Sequence, residues 1–222
     1  ALGALAFHGE GGSSAQSAID TTAAGDLWDN SFGITAAQDP KASNAPDNMI
    51  FYTLPSIVDG VALTTSYSPK GTGVASSMAY GIGYTGVEGL SVNYAVGEDN
   101  SAALTVDVTT MKASYAYGPI SIGYSDTEYD SQSTVTSVDQ DVKSYNVSYT
   151  VSENISVSYG SEEISQPNDT TDQDIEVSGI TASYTAGGMT ISGTMIDADN
   201  TAHGTATTQD KQQWSLAASF AF

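Results

Sequence analysis

Few residues in this chain have the means to do covalent chemistry. Only two histidines occur, His8 and His203, and cysteine is absent. A serine hydrolase needs a histidine to activate its nucleophile and a third polar group to hold that histidine. His8 opens a glycine-rich stretch and His203 stands in a Thr- and Gly-rich one, so both read as exposed loop residues. Zinc needs more His or thiolate ligands than the chain offers. Without cysteine there is no disulfide framework either. What remains is carboxylate. Residues 9–47 carry Glu10, Asp20, Asp26, Asp29, Asp39 and Asp47. Hard cations take carboxylate oxygens, which makes Asp26 with Asp29, or Asp39 with Asp47, weak calcium candidates. No EF-hand spacing occurs, a solvated acidic segment is the plainer reading, and no other cofactor is implied.

The whole chain leans the same way. The formal net charge is −21, from 26 acids against five lysines, with no arginine. Phosphate binding relies on Lys and Arg clusters, so nucleic acid is not a partner for this chain.

The elements that would position these carboxylates are strands. The last nine residues, Trp214 to Phe222, alternate large apolar with small side chains. Trp214, Leu216, Ala218, Phe220 and Phe222 share one face, and Ser215, Ala217, Ser219 and Ala221 share the other. Eight steps at about 3.4 Å and a tilt near 40° give roughly 21 Å, close to the ~25 Å apolar band of an outer-membrane barrel. No apolar run approaches the ~20 residues of a helical membrane span, so a bilayer crossing by this chain requires a barrel. Upstream, the same grammar predicts strands near 48–55, 60–69, 78–86, 89–98, 106–117, 119–129, 139–151, 155–163, 174–186 and 189–198, with the last at 211–222. Tyr80, Ile82 and Tyr84 share a face, as do Tyr145, Val147 and Tyr149, and the intervening positions are mostly Ser, Thr, Ala, Gly and Asn. Two places break phase: Val106 and Val108 against Met111 and Tyr115, and Ile175 and Val177 against Ile180 and Tyr184. Bulges, or strands that start later, would account for them.

Tight connections such as Gly118-Pro119 and Gly187-Gly188 alternate with longer polar ones around 70–77, 98–105, 130–138, 164–173 and 199–210. Short turns on one side and long loops on the other are the asymmetry of outer-membrane barrels, whereas a β-sandwich has no reason to sort its loops. Of the 26 acids only Asp59, Glu88 and Glu153 fall at short turns. One rim is therefore a negative mouth that concentrates cations. The 9–47 segment is too long for a hairpin turn. It carries a short helix around 15–24 in this reading and folds inward, with Glu10, Asp20, Asp26, Asp29, Asp39 and Asp47 at a constriction. Lys112 points into the lumen toward that loop. Lys143 points outward at the long-loop rim, where lipopolysaccharide phosphates would lie. Tyr84, Tyr115, Tyr117, Tyr149, Tyr184, Trp214, Phe220 and Phe222 form the membrane girdle.

The stretch Asn48-Met-Ile-Phe-Tyr-Thr-Leu-Pro55, followed by Val58-Asp-Gly60-Val, resembles the N-S-I-x-Y-x-S-P-x-F-x-G-F signature of Gram-negative trimeric porins. Asn48, Ile50, Tyr52, Pro55 and Gly60 match it, and the aromatic last strand is similar to that family's. The resemblance implies an all-β, antiparallel transmembrane barrel of sixteen strands with a constriction loop between the fifth and sixth. Residues 1–8 would then be the fifth strand, and about four N-terminal strands would be missing. The opening Ala-Leu-Gly-Ala-Leu-Ala-Phe has no basic leader and does not read as a signal peptide. Phe51 stands where many family members carry a basic residue facing the lumen. The expectation is one β-barrel domain over 1–222, a homotrimer in the bacterial outer membrane in contact with lipid and lipopolysaccharide. It would pass small hydrophilic solutes passively with a cation preference, and would not be an enzyme. The alternatives are a closed barrel acting as an adhesin or receptor surface, and a complete twelve-stranded barrel enzyme using a serine near His8 or His203.

Overall fold

The computed structural model describes residues 2–29, 39–43, 48–72, 75–100, 105–131, 139–167, 173–204 and 209–221. Twelve strands form one antiparallel sheet in chain order. They are β1 Ala4–His8, β2 Met49–Thr53, β3 Val61–Ser68, β4 Ser77–Tyr84, β5 Leu90–Glu98, β6 Val106–Tyr117, β7 Ile120–Ser131, β8 Gln140–Ser152, β9 Ile155–Ser165, β10 Ile175–Ala186, β11 Met189–Asp199 and β12 Lys211–Phe220. Each of the eleven strands expected from residue 48 onward forms, as does one within residues 1–8. Their positions were readable because period-two patterning and turn residues agree at every boundary. The β10–β11 connection is an example: Gly187 and Gly188 both take positive φ, 57° and 80°, the conformation a two-residue hairpin turn demands. β1 and β12 are the sheet's edges, each paired with one neighbour.

The two faces differ in chemistry and in what covers them. One face carries Tyr80, Ile82, Tyr145, Val147 and Ile180, each 45–50% exposed. Large apolar side chains gain about 1.5–3 kcal/mol each on leaving water, so this face is stable only against an apolar medium. On the other face lies the described part of the segment between β1 and β2, residues 9–29 and 39–43. It covers the half of the wall nearest the long connections and leaves the half nearest the short turns open.

Neither expected phase break is a bulge or a late strand start. Pairing of β6 with β5 and β7, and of β10 with β9 and β11, runs without a register shift. Val106, Val108, Ile175 and Val177 are inward-facing and at most 3% exposed. They belong to two small dry clusters: Val106, Val108 and Tyr129, and Val142 with Ile164, Ile175, Val177, Ile196 and Ala198. The inner wall is apolar near the long loops because something packs on it there, so the pattern changes face without slipping. Among the described residues the one irregularity falls between Thr150 and Ser152 of β8.

Candidate functional site

The loop between β1 and β2 is held by the wall mainly through its own backbone. The Ala15 amide donates to Ser66 Oγ on β3 (3.0 Å), and Gln16 Nε2 donates to Thr110 Oγ1 on β6 (2.7 Å). Ser125 Oγ on β7 donates to the Thr21 carbonyl (3.0 Å), and the Ala23 and Ala24 amides share Ser144 Oγ on β8 (3.0 and 2.9 Å). The Trp28 amide reaches Glu162 Oε2 on β9 (2.9 Å). The loop thus travels around the inner wall, meeting one strand after another. Leu27 and Trp28 then pack on the larger dry cluster. The returning arm is fixed at Gln140, which accepts from the Lys41 amide (2.8 Å) and donates to the Asp39 carbonyl (3.1 Å).

These contacts explain why the expected helix over 15–24 does not form. One turn closes, with Ala18 N bonded to Ser14 O and Ile19 N to Gln16 O, both at 2.9 Å. Beyond it, Asp20 Oδ1 takes the Thr22 amide (3.1 Å) and Ser144 takes the next two amides, so wall and side chain replace the helical carbonyls. A 3₁₀ turn follows at Leu27–Asp29.

Lys112 lies on the inner face of β6 and donates to Asp20 Oδ2 and to the Thr22 carbonyl, both at 2.7 Å. Asp26 Oδ1 accepts from the Thr22 hydroxyl at 2.7 Å. Glu10, Asp20, Asp26 and Asp29 are exposed, Asp39 is half-buried, and Asp47 lies outside the described residues. Burial, and then the charge of Asp29, push the Asp39 carboxyl above its ordinary range. Burial pulls the Lys41 ammonium below its ordinary value against the opposing attraction of Asp139 and Asp99. The Lys41 ammonium sits 5.1 Å from the centre of the Tyr129 ring, whose hydroxyl donates to Asp99 (2.7 Å). No three metal-ligating side chains converge among the described residues.

The histidines are not both exposed. His203 is 4% exposed, with Nδ1 2.9 Å from the Gln173 carbonyl and its own carbonyl accepting the Gln173 amide (3.0 Å). It fastens two long connections to each other, and its positive φ of 55° is part of that turn. His8 is half-buried on β1. Neither makes a serine hydrogen bond among the described residues.

Below the loop, toward the short turns, the inner wall is hydroxylic. Ser121 bonds Ser148 (2.5 Å), Ser156 bonds Ser183 (2.7 Å) and Thr181 bonds Thr194 (3.0 Å). Phe51 and Ile19 line a cavity of about 200 Å³ between wall and loop, with Thr64 and Asn93 as its polar members. On the outer face Tyr84, Tyr115, Tyr117, Tyr149, Tyr184, Trp214 and Phe220 are 37–78% exposed, and Phe222 lies outside the described residues. The sequence reading missed a further aromatic row nearer the long loops: Tyr67, Tyr80, Tyr94, Tyr124, Tyr145 and Tyr159. Above it stand outward acids in facing pairs, Glu128 opposite Asp141 and Glu163 opposite Glu176. Lys143 lies between Asp126 and Glu163 across its two neighbouring strands.

An apolar outer belt, a hydroxylic inner wall and a long loop docked inside define an outer-membrane barrel of the porin kind. The family model of Gram-negative porins matches residues 4–166, and the chain belongs to that family. Its strands cross the bacterial outer membrane. No curated protein matches the chain. Among solved structures it is similar to an anion-selective porin from Comamonas acidovorans, with 17% identity and a TM-score of 0.55 over 69% of this chain and 49% of that one. A porin refined at 1.8 Å shares 18% identity, with a TM-score of 0.57 over 80% of this chain and 63% of the other. A loop-deletion form of OmpT, an outer-membrane protein of Vibrio cholerae, shares 15%, with a TM-score of 0.56 over 98% and 75%. At these identities the likeness is one of fold. The chain spans about half the length of the Comamonas porin and under two thirds of the second.

Proposed function

We propose that this protein forms a water-filled channel through which small hydrophilic solutes diffuse passively, with a preference for cations. The observation that carries the reading is the docked inner loop. It sets Asp20 and Asp26 on the inner face, where Lys112 is already engaged by Asp20 and the Thr22 carbonyl. A permeating ion would meet carboxylates from Glu10, Asp20, Asp26, Asp29 and Asp39 against a hydroxylic wall, with Phe51 where a cation would otherwise stand. Charge at a narrow, low-dielectric passage selects by sign. The similar Comamonas porin is anion-selective, so the cation preference proposed here rests on this chain's own acids and not on that likeness. No covalent step is involved, and calcium would enter only as a weakly held ion at Asp26 and Asp29. Residues 1–222 act as one barrel unit, as a homotrimer bedded in lipid and lipopolysaccharide. The crowding of Lys143 by two acids weakens it as a direct phosphate contact.

The test is the purified full-length protein in planar bilayers under a KCl gradient. Stepwise openings with a reversal potential of cation sign support the reading. Anion sign removes the selectivity, and silence from well-folded protein removes the channel in favour of a closed barrel with a receptor surface.

A further inference from the structure

Five interior strand positions that face the docked loop are glycines: Gly81 on β4, where a Cβ would stand 3.2 Å from the Ala15 carbonyl oxygen, Gly97 on β5, Gly123 on β7, Gly160 on β9 and Gly179 on β10. Glycine weakens a strand, and its recurrence on one face marks the close approach of another backbone. A Cβ built at Gly160 would stand 2.7 Å from Ala24 Cβ and 3.2 Å from Leu27 Cδ1. One at Gly97 would stand 2.7 Å from Ser43 Oγ, 2.8 Å from its Cβ and 3.0 Å from Ala79 Cβ on the neighbouring β4. At Gly179 the nearest loop atom is Leu27 Cδ2 at 3.2 Å, and at Gly123 it is Ala23 Cβ at 3.4 Å, an ordinary contact. Outward-facing Gly193 has open space, with its nearest atom, a strand carbonyl, at 4.0 Å.

We propose that Gly160 and Gly97 are positioning residues of the channel: their missing side chains form the bed that lets the inner loop lie flat on the wall, and so set the open cross-section. The inference rests on the channel reading. Carbon atoms settle about 3.5–4.0 Å apart, so a methyl at Gly160 requires about 1 Å of movement. The wall resists it, because β9 is paired along its length with β8 and β10. Ala24 has no flexible end to swing aside and must move with its backbone. The loop is therefore the part that yields. It lifts into the passage and strains the bonds from the Ala23 and Ala24 amides to Ser144. Glu162, 1% exposed and bonded to the Trp28 amide, lies two residues along β9, so the lift is transmitted to that anchor as well.

The experiment compares single-channel conductance of Gly160→Ala, Gly97→Ala, Gly123→Ala and Gly193→Ala in the full-length protein. Conductance falls for Gly160→Ala and Gly97→Ala and is unchanged for Gly123→Ala and Gly193→Ala. Adding Ala24→Gly to Gly160→Ala removes the opposing methyl and restores conductance, a rescue that a general folding defect would not show. Equal conductance in all four variants, or no rescue, overturns the bed while the channel reading stands. If Gly160→Ala does not fold, Gly97→Ala with Ser43→Gly as its rescue, both in an Ala79→Gly background that removes the wall contact, decides the question. If the wild type does not conduct, the channel reading fails separately, and the bed is then read from acrylamide quenching of Trp28 in a Trp214→Phe background. Increased quenching in Gly160→Ala, reversed by Ala24→Gly, supports the bed, and no increase overturns it.

Discussion

Lys112→Gln separates the docking of the inner loop from its electrical effect. The lysine makes two bonds of 2.7 Å, to Asp20 Oδ2 and to the Thr22 carbonyl, and the side chains of the ion pair are 25% and 52% exposed. An ion pair this wet is worth at most about 1 kcal/mol, and the backbone bond about 1 kcal/mol more. The loop has independent anchors at Ser66, Thr110, Ser144 and Glu162, so it stays docked. The electrical change is a lost positive charge. At one physiological Debye length, about 8 Å, its interaction with an ion in water is about 0.5 kcal/mol, and screening reduces this to about 0.2 kcal/mol. Local cation concentration then rises by about 1.4-fold and anion concentration falls by as much, so the permeability ratio changes about twofold. In 1 M salt the Debye length is about 3 Å and the effect disappears. The assay is the reversal potential in KCl gradients at low and high salt. A shift toward cations that fades with salt is expected, with the opposite sign in Asp20→Asn and little change in Lys143→Gln on the outer face. A shift toward anions, or one as large in Lys143→Gln, refutes the reasoning.

Three further outcomes follow from the geometry. Glu162→Ala removes the hydrogen bond that the Trp28 amide donates, worth about 0.5–1.5 kcal/mol; acrylamide should quench Trp28 more strongly in a Trp214→Phe background, and unchanged quenching would show that this anchor is idle. Val177→Thr buries a hydroxyl among Val142, Ile164, Ile175 and Ile196, at a cost of about 1–3 kcal/mol; thermal unfolding reads the loss, and stability equal to wild type would put Val177 on the lipid side after all. Lys41 should titrate below 10.5, its burial outweighing Asp139 and Asp99. Between its folded value and 10.5 the unfolded chain binds the additional proton, so loop docking strengthens as pH rises through that window and is flat below it. Nitrogen-15 titration of the lysine side chains measures this, with a midpoint at or above 10.5 as the contrary result.

Strand positions and the sense of each face were legible because two local signals, alternation and turn chemistry, coincide. The meeting of Lys112 with the 9–47 loop could also be read, since parity alone put that lysine inside. The failures share one cause, which is that the inner loop is tertiary structure. Ile175 and Val177 look out of phase only if the inner wall is assumed to be wet throughout. Ala15 to Ala24 is a good helical composition until Ser144 takes two of its amides. His203 reads as an exposed loop residue because its partner, Gln173, is thirty positions away. The inward glycines carried a usable signal. Gly97, Gly123, Gly160 and Gly179 have the same parity on four strands, and glycine confined to one face of several strands means that something lies against that face.

The inner loop is held mainly by its main chain, and this governs how selectivity can be altered. Ser66, Ser144 and Glu162 bind the amides of Ala15, Ala23, Ala24 and Trp28, and every residue but proline supplies such an amide. Leu27 and Trp28 add apolar contact with a dry patch that carries no charge of its own. Asp20 and Asp26 are therefore mounted on a support that does not depend on their being acidic. A loop seated by ion pairs would come loose whenever its charges changed, and the channel's electrical character and its width would vary together. With main-chain bonds and a bare wall as the seat, the acids can be exchanged for their neutral amides, which keep the acceptor oxygens that Thr22 uses, while the loop stays down. One docking geometry can then carry different net charge on its inner loop.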